Sequence, residues 1–171
     1  MLNREDILSL IKGKNLLEGY IDLDVQLTPN GFDLTVASIF EFDKPGALDF
    51  SNKERELPGG REIIPRKKNP EDKFGWWNLK TGAYKIRTNE IINLPNDLVA
   101  LAFSRTSLLR MGAFTQHGVW DAGFKGRSEF ILLVDNPGGI KIKQNARIVQ
   151  LIFIKINHTE QGYQGIYQNQ R

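Results

Sequence analysis

From Ile21 to Ile156 the chain is punctuated by turn signals about every 8–12 residues, and the stretches between them have strand length. Leu98-Val99-Ala100-Leu101-Ala102-Phe103 is unbroken apolar sequence, which predicts a strand buried on both faces. Phe130-Ile131-Leu132-Leu133-Val134 predicts another, closed by Asp135-Asn136-Pro137-Gly138-Gly139. Arg147 to Ile156 predicts the last core strand. It puts Val149, Leu151 and Phe153 on one face, and Ile148, Gln150, Ile152, Ile154 and Ile156 on the other. Tyr84–Arg87 and Glu90–Leu94 read as two more strands before the turn at Pro95-Asn96-Asp97, and Ile140 and Ile142 alternate with lysines. There is no internal repeat and no low-complexity tract. A chain built this way folds as an all-β sandwich or barrel.

Upstream, residues 3–12 predict a short helix. Asn3 caps it, Leu2, Ile7, Leu10 and Ile11 form its apolar stripe, and Gly13 ends it. Ile21 to Leu27 alternates strictly and predicts a half-buried strand, followed by a turn at Thr28-Pro29-Asn30-Gly31. Phe32, Leu34 and Val36 then share one strand face, with Asp33 on the other. Residues 43–82, rich in glycine, proline and charge, read as a solvated insertion with one or two hairpins; Trp76-Trp77 packs it onto the rest. No linker divides the 171 residues, so one domain is expected.

The composition excludes several classes. A net charge of +3 gives no polybasic stripe for nucleic acid. The absence of cysteine removes disulfide and thiolate chemistry, and two histidines, His117 and His158, do not make a usual zinc site. No apolar signal segment opens the chain and no run reaches membrane-spanning length, so a cytoplasmic protein is expected.

Two clusters in residues 104–126 carry chemistry. Ser104 to Arg110 sets hydroxyls between two arginines, which suits a polyanion because guanidinium forks and hydroxyl donors match phosphate oxygens. Gly118 to Gly126 sets Asp121 among glycines and aromatics, where a carboxylate can orient a hydroxyl, activate a water or help hold a metal. A polar hairpin joining two core strands accounts equally for the second cluster. Gln150 reads either as a satisfied core amide or as a ligand contact. His117 reads as structural. The tail 160–171 reads as a frayed end or as an arm that closes over a ligand.

Four phrases in order resemble the dUTPase and dCTP deaminase superfamily: Gly31-Phe32-Asp33-Leu34, Arg105-Thr106-Ser107-Leu108, Gly118-Val119-Trp120-Asp121 followed by Gly123-Phe124-Lys125-Gly126, and Arg147-Ile148-Val149-Gln150-Leu151. The resemblance implies a distorted jelly-roll (β-clip-like) barrel, assembled as a homotrimer with sites between subunits. It implies a dUTP diphosphatase using Mg²⁺, with no nucleic acid or membrane partner. Arg105, Thr106, Ser107, Arg110 and Gln150 would bind phosphate. Gly118, Val119, Trp120 and Phe124 would bind the nucleoside, with Tyr163 and Gln164 from the tail. Asp121 would position the attacking water, and Asp33 would reach the metal through water. Thr106, Trp120 and Phe124 depart from the usual serine, isoleucine and tyrosine.

Residues 94–110 and the tail look more like the deaminase branch, which implies dCTP deaminase or bifunctional alternatives. A non-catalytic nucleotide-binding member is a further alternative. The deaminase glutamate belongs five positions after Gly126, where this chain has Ile131. Isoleucine cannot shuttle protons. Glu129 lies two residues earlier on the same strand face, roughly 6.6 Å away, and would need a bulge to replace it.

Overall fold

A computed structural model describes residues 1–170. Helix α1 (Arg4–Lys14) begins where expected, with the Asn3 side chain accepting the Asp6 N–H at 2.9 Å. It buries Ile7 and Ile11. It does not stop at Gly13. Asn15 takes the left-handed cap position at φ 52° and returns its N–H to Leu10, a conformation that asparagine tolerates better than most residues.

The alternating stretch 21–27 is not a strand. After β1 (Leu17–Glu18) the chain turns into the short helix α2 (Leu23–Gln26) and then β2 (Leu27–Thr28). Local side-chain bonds override the period-two pattern. Asp22 caps Val25 N at 3.0 Å, and the Gln26 amide oxygen accepts Ile21 N and Asp22 N at 2.7 and 3.0 Å. Ile21 and Val25 are exposed as a result.

The remaining elements are β3 (Gly31–Glu41), β4 (Arg61–Glu62), β5 (Trp76–Leu79), β6 (Gly82–Asn93), β7 (Leu98–Ser104), α3 (Thr106–Arg110), β8 (Ala113–Gln116), β9 (Lys125–Val134), β10 (Ile140–Lys143) and β11 (Arg147–Lys155). The main sheet runs β7-β11-β3-β6-β9-β8, all antiparallel, with β1 on β6 and β2 and β4 on β3. Its ends approach each other: Ser104 Oγ accepts Thr115 N at 2.8 Å, linking β7 to β8. The sheet is therefore a nearly closed barrel around Phe32, Leu34, Val36, Ile86, Leu132, Leu151 and Phe153. The all-β, single-domain expectation holds. A side chain at Gly31 would collide with the Leu151 carbonyl, so glycine is required where β3 starts against β11.

Three strand readings change. The two strands read at 84–87 and 90–94 are one strand, β6, whose register against β9 shifts between Arg87 and Ile91. β7 is buried on one face only: Leu98 and Ala100 point inward, while Phe103 is 57% exposed. It is an end strand of the main sheet, and on its outer face Val99 and Leu101 are half-buried. In β9, Phe130, Leu132 and Val134 are buried, but Ile131 and Leu133 are only half-buried.

The insertion is anchored as expected. Trp77 is buried and donates its indole N–H to the Ile63 carbonyl at 2.6 Å, and β5 pairs with β10 in a separate two-stranded sheet. Trp76 stacks with Lys68 and Lys143. No helix among the described residues is long and apolar enough to cross a membrane.

Candidate functional site

Asp33 stands on β3 directly across from Gln150 on β11, which in turn faces Phe103 on β7. Asp33 is not on a solvated face; it is 2% exposed. Two arginines converge on its Oδ2, Arg105 Nε at 3.0 Å and Arg147 NH1 at 3.2 Å. β7 delivers Arg105 at its end, and the irregularity in β11 between Arg147 and Val149 brings Arg147 to the same point. Arg147 also donates to the Val25 carbonyl at 2.7 Å, and Arg105 to the Arg147 carbonyl at 3.2 Å. Burial raises the Asp33 carboxyl above its ordinary value, while Arg105 and then Arg147 pull it down. Two bonded guanidiniums suit the ionised form.

Thr106, Ser107 and Arg110 lie exposed on α3, which is anchored by the buried Leu108. The Gln150 amide donates to Thr28 Oγ1 at 2.6 Å and is half-buried, so it has a protein partner and an accessible flank.

The second cluster lies beyond β8. Residues 117–124 cross to β7, where Trp120 and Ala100 exchange backbone hydrogen bonds of 3.0 and 3.1 Å. Trp120 is 6% exposed and donates its indole N–H to Ser128 Oγ at 2.8 Å. The extra bulk over isoleucine is thus absorbed in the core. His117 packs edge-on to Phe130, with ring centroids 4.7 Å apart, and tilted against Trp120 at 5.8 Å. Burial lowers its pKa to about 4 against a weaker backbone hydrogen bond with Ala102. This is a structural histidine.

Asp121 is exposed, and Phe124 N closes the turn onto its carbonyl at 3.0 Å. Gly123 has φ +80°, and a Cβ there would press on Asn96 and on Gly162 of the tail. Glycine is needed for both reasons.

Gly118, Val119, Trp120, Phe124 and Tyr163 line a cleft of about 650 Å³. Phe124 and Tyr163 meet edge to face at 5.5 Å. Asp121 does not line this cleft, and Gln164 lines a neighbouring depression with Asn96 and Gly123. None of Arg105, Thr106, Ser107, Arg110 or Gln150 reaches the cleft. Within one chain the phosphate-type and nucleoside-type clusters are not brought together.

Sequence reasoning missed part of the cleft wall. Phe42 and Leu57-Pro58-Gly59 come from the insertion and its entry, and Lys85 and Arg127 come from β6 and β9. Apolar residues in an otherwise polar insertion were the available signal.

The tail is docked, not frayed. Tyr163 N donates to the Ala122 carbonyl at 2.8 Å, and Asn169 N to the Lys125 carbonyl at 2.7 Å. The Gln168 amide oxygen accepts Lys125 N at 2.8 Å, and its nitrogen donates to the Gly123 and Tyr163 carbonyls at 2.9 and 3.1 Å.

Glu129 does not move into the Ile131 position. β9 pairs with β6 in regular register from Val134 to Glu129, and the shift beyond lies in β6, where three residues separate Arg87 from Ile91 against one between Glu129 and Arg127. Glu129 is held by Arg87 at 2.7 and 2.8 Å and by Lys85 at 3.3 Å.

Comparison with known proteins agrees with this architecture. A family described as dCTP deaminase-like matches residues 1–156. A probable deoxyuridine 5'-triphosphate nucleotidohydrolase of Methanosarcina mazei is 44% identical, covering 99% of this chain and 97% of that protein. The deoxyuridine 5'-triphosphate nucleotidohydrolase of Methanocaldococcus jannaschii is 36% identical, covering 92% and 98%. Among solved structures, 2'-deoxycytidine 5'-triphosphate deaminase from Agrobacterium tumefaciens superimposes with a TM-score of 0.68 at 22% identity, covering 92% of this chain and 49% of that one.

Proposed function

Since the chain belongs to the dCTP deaminase-like family, we propose that it hydrolyses dUTP to dUMP and pyrophosphate and does not deaminate dCTP. One observation carries the choice between the two reactions. Glu129 lines the cleft, but its carboxylate is committed to Arg87 and Lys85, and Ile131 fills the deaminase position. A proton shuttle needs a carboxyl free to take and release a proton at the leaving amine. Near-full-length relatives named as deoxyuridine triphosphate nucleotidohydrolases support the same choice.

Hydrolysis needs charge on the phosphates and a placed water. Arg105 and Arg110 supply charge, and Thr106 and Ser107 supply hydroxyl donors. Gln150 offers its accessible flank. Gly118, Val119 and Trp120 shape the nucleoside wall. Phe124 packs the sugar, and Tyr163 closes over it from the tail, with Gln164 in the neighbouring depression. Asp121, exposed and without an ion pair among the described residues, orients the attacking water.

The residues fit a magnesium ion held mainly by substrate phosphates. Asp33 is 2% exposed and held by both arginines, so it meets the ion through water rather than directly. Bound there, magnesium would neutralise charge developing on the phosphates.

The separation of the two clusters in one chain, together with the exposed Phe103 on the outer face of β7, supports a homotrimer with sites between subunits. We place the protein in the cytoplasm, acting on a small nucleotide, with neither nucleic acid nor membrane as partner. The test is to incubate protein and magnesium with dUTP and with dCTP side by side and resolve the nucleotides by chromatography. dUMP from dUTP with dCTP unchanged is expected. dUTP or dUMP formed from dCTP at catalytic rates, and abolished by Glu129→Gln, would establish the bifunctional enzyme. Binding without turnover would establish a non-catalytic member.

A further inference from the structure

Behind Asp33 lies a second carboxylate that the proposed reaction does not use. Glu90 sits on β6 inside the stretch where register against β9 shifts, and it is 0% exposed. No cation among the described residues pairs with it. Three donors hold it instead: Gln26 Nε2 at 2.7 Å and Thr35 Oγ1 at 2.5 Å on Oε1, and Thr35 N at 3.0 Å on Oε2. Asn89 donates to Thr35 Oγ1 at 2.9 Å, which leaves the threonine hydroxyl to donate to Glu90. The β3–β6 ladder runs no further than Val36 against Thr88, and the Glu90 carboxylate takes the next free N–H, that of Thr35.

These bonds lead to the phosphate cluster. The second hydrogen of the Gln26 amide goes to the Asp33 carbonyl at 2.8 Å. The Gln26 oxygen closes the turn into α2, and Val25 of α2 presents its carbonyl to Arg147. Glu90 therefore fixes the backbone of Asp33 through Gln26, fixes Thr35 two residues on, and fixes one anchor of Arg147. We propose that Glu90 is a positioning residue for the phosphate end of the site, holding Asp33 where Arg105 and Arg147 can meet its carboxylate. This rests on the reading of that cluster as the phosphate end.

The chemistry requires a carboxylate. Gln26 Nε2 and Thr35 N are obligate donors on different oxygens, so an amide at position 90 would turn its NH₂ toward one of them and lose a bond in the dry interior. Groups that hold a ligating side chain cost roughly 10–100-fold in affinity or activity when changed.

The experiment compares wild type, Glu90→Gln and Thr35→Val. Calorimetry with magnesium measures the affinity of inorganic pyrophosphate and, separately, of deoxyuridine. Nitrogen-15 NMR follows the Arg105 Nε–H that bonds Asp33. In Glu90→Gln we expect pyrophosphate affinity to fall roughly 10–100-fold, deoxyuridine affinity to stay unchanged, and the Arg105 signal to shift or exchange faster. Thr35→Val should do the same to a smaller degree, and it carries the test if Glu90→Gln does not fold. An unchanged Arg105 signal, or equal loss of both affinities, overturns the proposal and leaves Glu90 a general support of the fold. If wild type does not bind pyrophosphate but the Arg105 signal still moves in the variants, the phosphate reading fails and the positioning of Asp33 by Glu90 stands.

Discussion

Asp121 has a glycine-bounded loop on each side and no ion pair among the described residues, so its carboxylate is free to accept from a water. Asp121→Asn keeps the shape and the turn, since the Phe124 N bond uses the backbone carbonyl. We expect the variant to fold, to bind a non-hydrolysable dUTP analogue as wild type does, and to lose about 10²–10⁴-fold in turnover. Near-normal turnover would reduce Asp121 to a contact for the sugar hydroxyl. His117 gives a different prediction. Its folded pKa of about 4 lies below that of the unfolded chain. As pH falls from roughly 6.5 the unfolded state takes up the proton first, so stability drops until the folded pKa is reached. At about 1.4 kcal/mol per pKa unit the loss has a ceiling of about 3.5 kcal/mol, reduced because the ring is only half-buried. His117→Phe, which can keep the packing against Phe130 and Trp120, should flatten that limb in urea titrations at pH 4 and pH 7; an identical acid limb would refute the assignment.

At the scale of elements, legibility followed burial. The longer strands with a face in the core announced themselves, and so did α1, because Asn3 and the Ile7–Ile11 pair carry their own signals; the four-residue β8 inside the polar 104–126 stretch did not, although Ala113 and Thr115 are buried. Residues 21–27 did not. Alternation is a statement about faces, but Asp22 and Gln26 closed a helical turn through side-chain bonds that no period reports. Phe103 was read as core because an apolar run looks alike whether the same chain or another covers it. The site divides in the same way. Asp121, Arg105 and Arg147 were legible as residue types in motifs. The cluster of Glu90, Gln26 and Thr35 was not, since its members are 64, 55 and 9 positions apart in pairs and each alone reads as a surface residue. The wall supplied by Phe42 and Leu57 was hidden inside an insertion whose average composition is polar.

For the whole molecule, one chain does not bring the arginine cluster and the cleft together. The cleft built on Trp120, Phe124 and Tyr163 contains no residue of the arginine cluster, and Phe103, Leu109 and Phe114 stand exposed near the β7–β8 seam. Exposed apolar side chains so grouped favour burial against another copy, and a ring of three closes by rotation. A sedimentation experiment at micromolar protein should give a trimer; a fully active monomer would end this reading. Complementation is the sharper measurement. Arg110→Ala alters an exposed motif residue without touching the Asp33 ion pairs, and Asp121→Asn alters the other cluster. If a site takes its arginines from one subunit and its hairpin from the next, each parent trimer is impaired at every site. In trimers formed by co-expressing the two variants, a site is restored wherever the Asp121→Asn subunit supplies the arginines and the Arg110→Ala subunit supplies the hairpin. Random mixing restores about a quarter of the sites. dUTP turnover in the mixture should therefore rise to about a quarter of wild type, far above either parent. If both clusters came from the same subunit, mixing would restore nothing, and the activity would remain the average of the two parents.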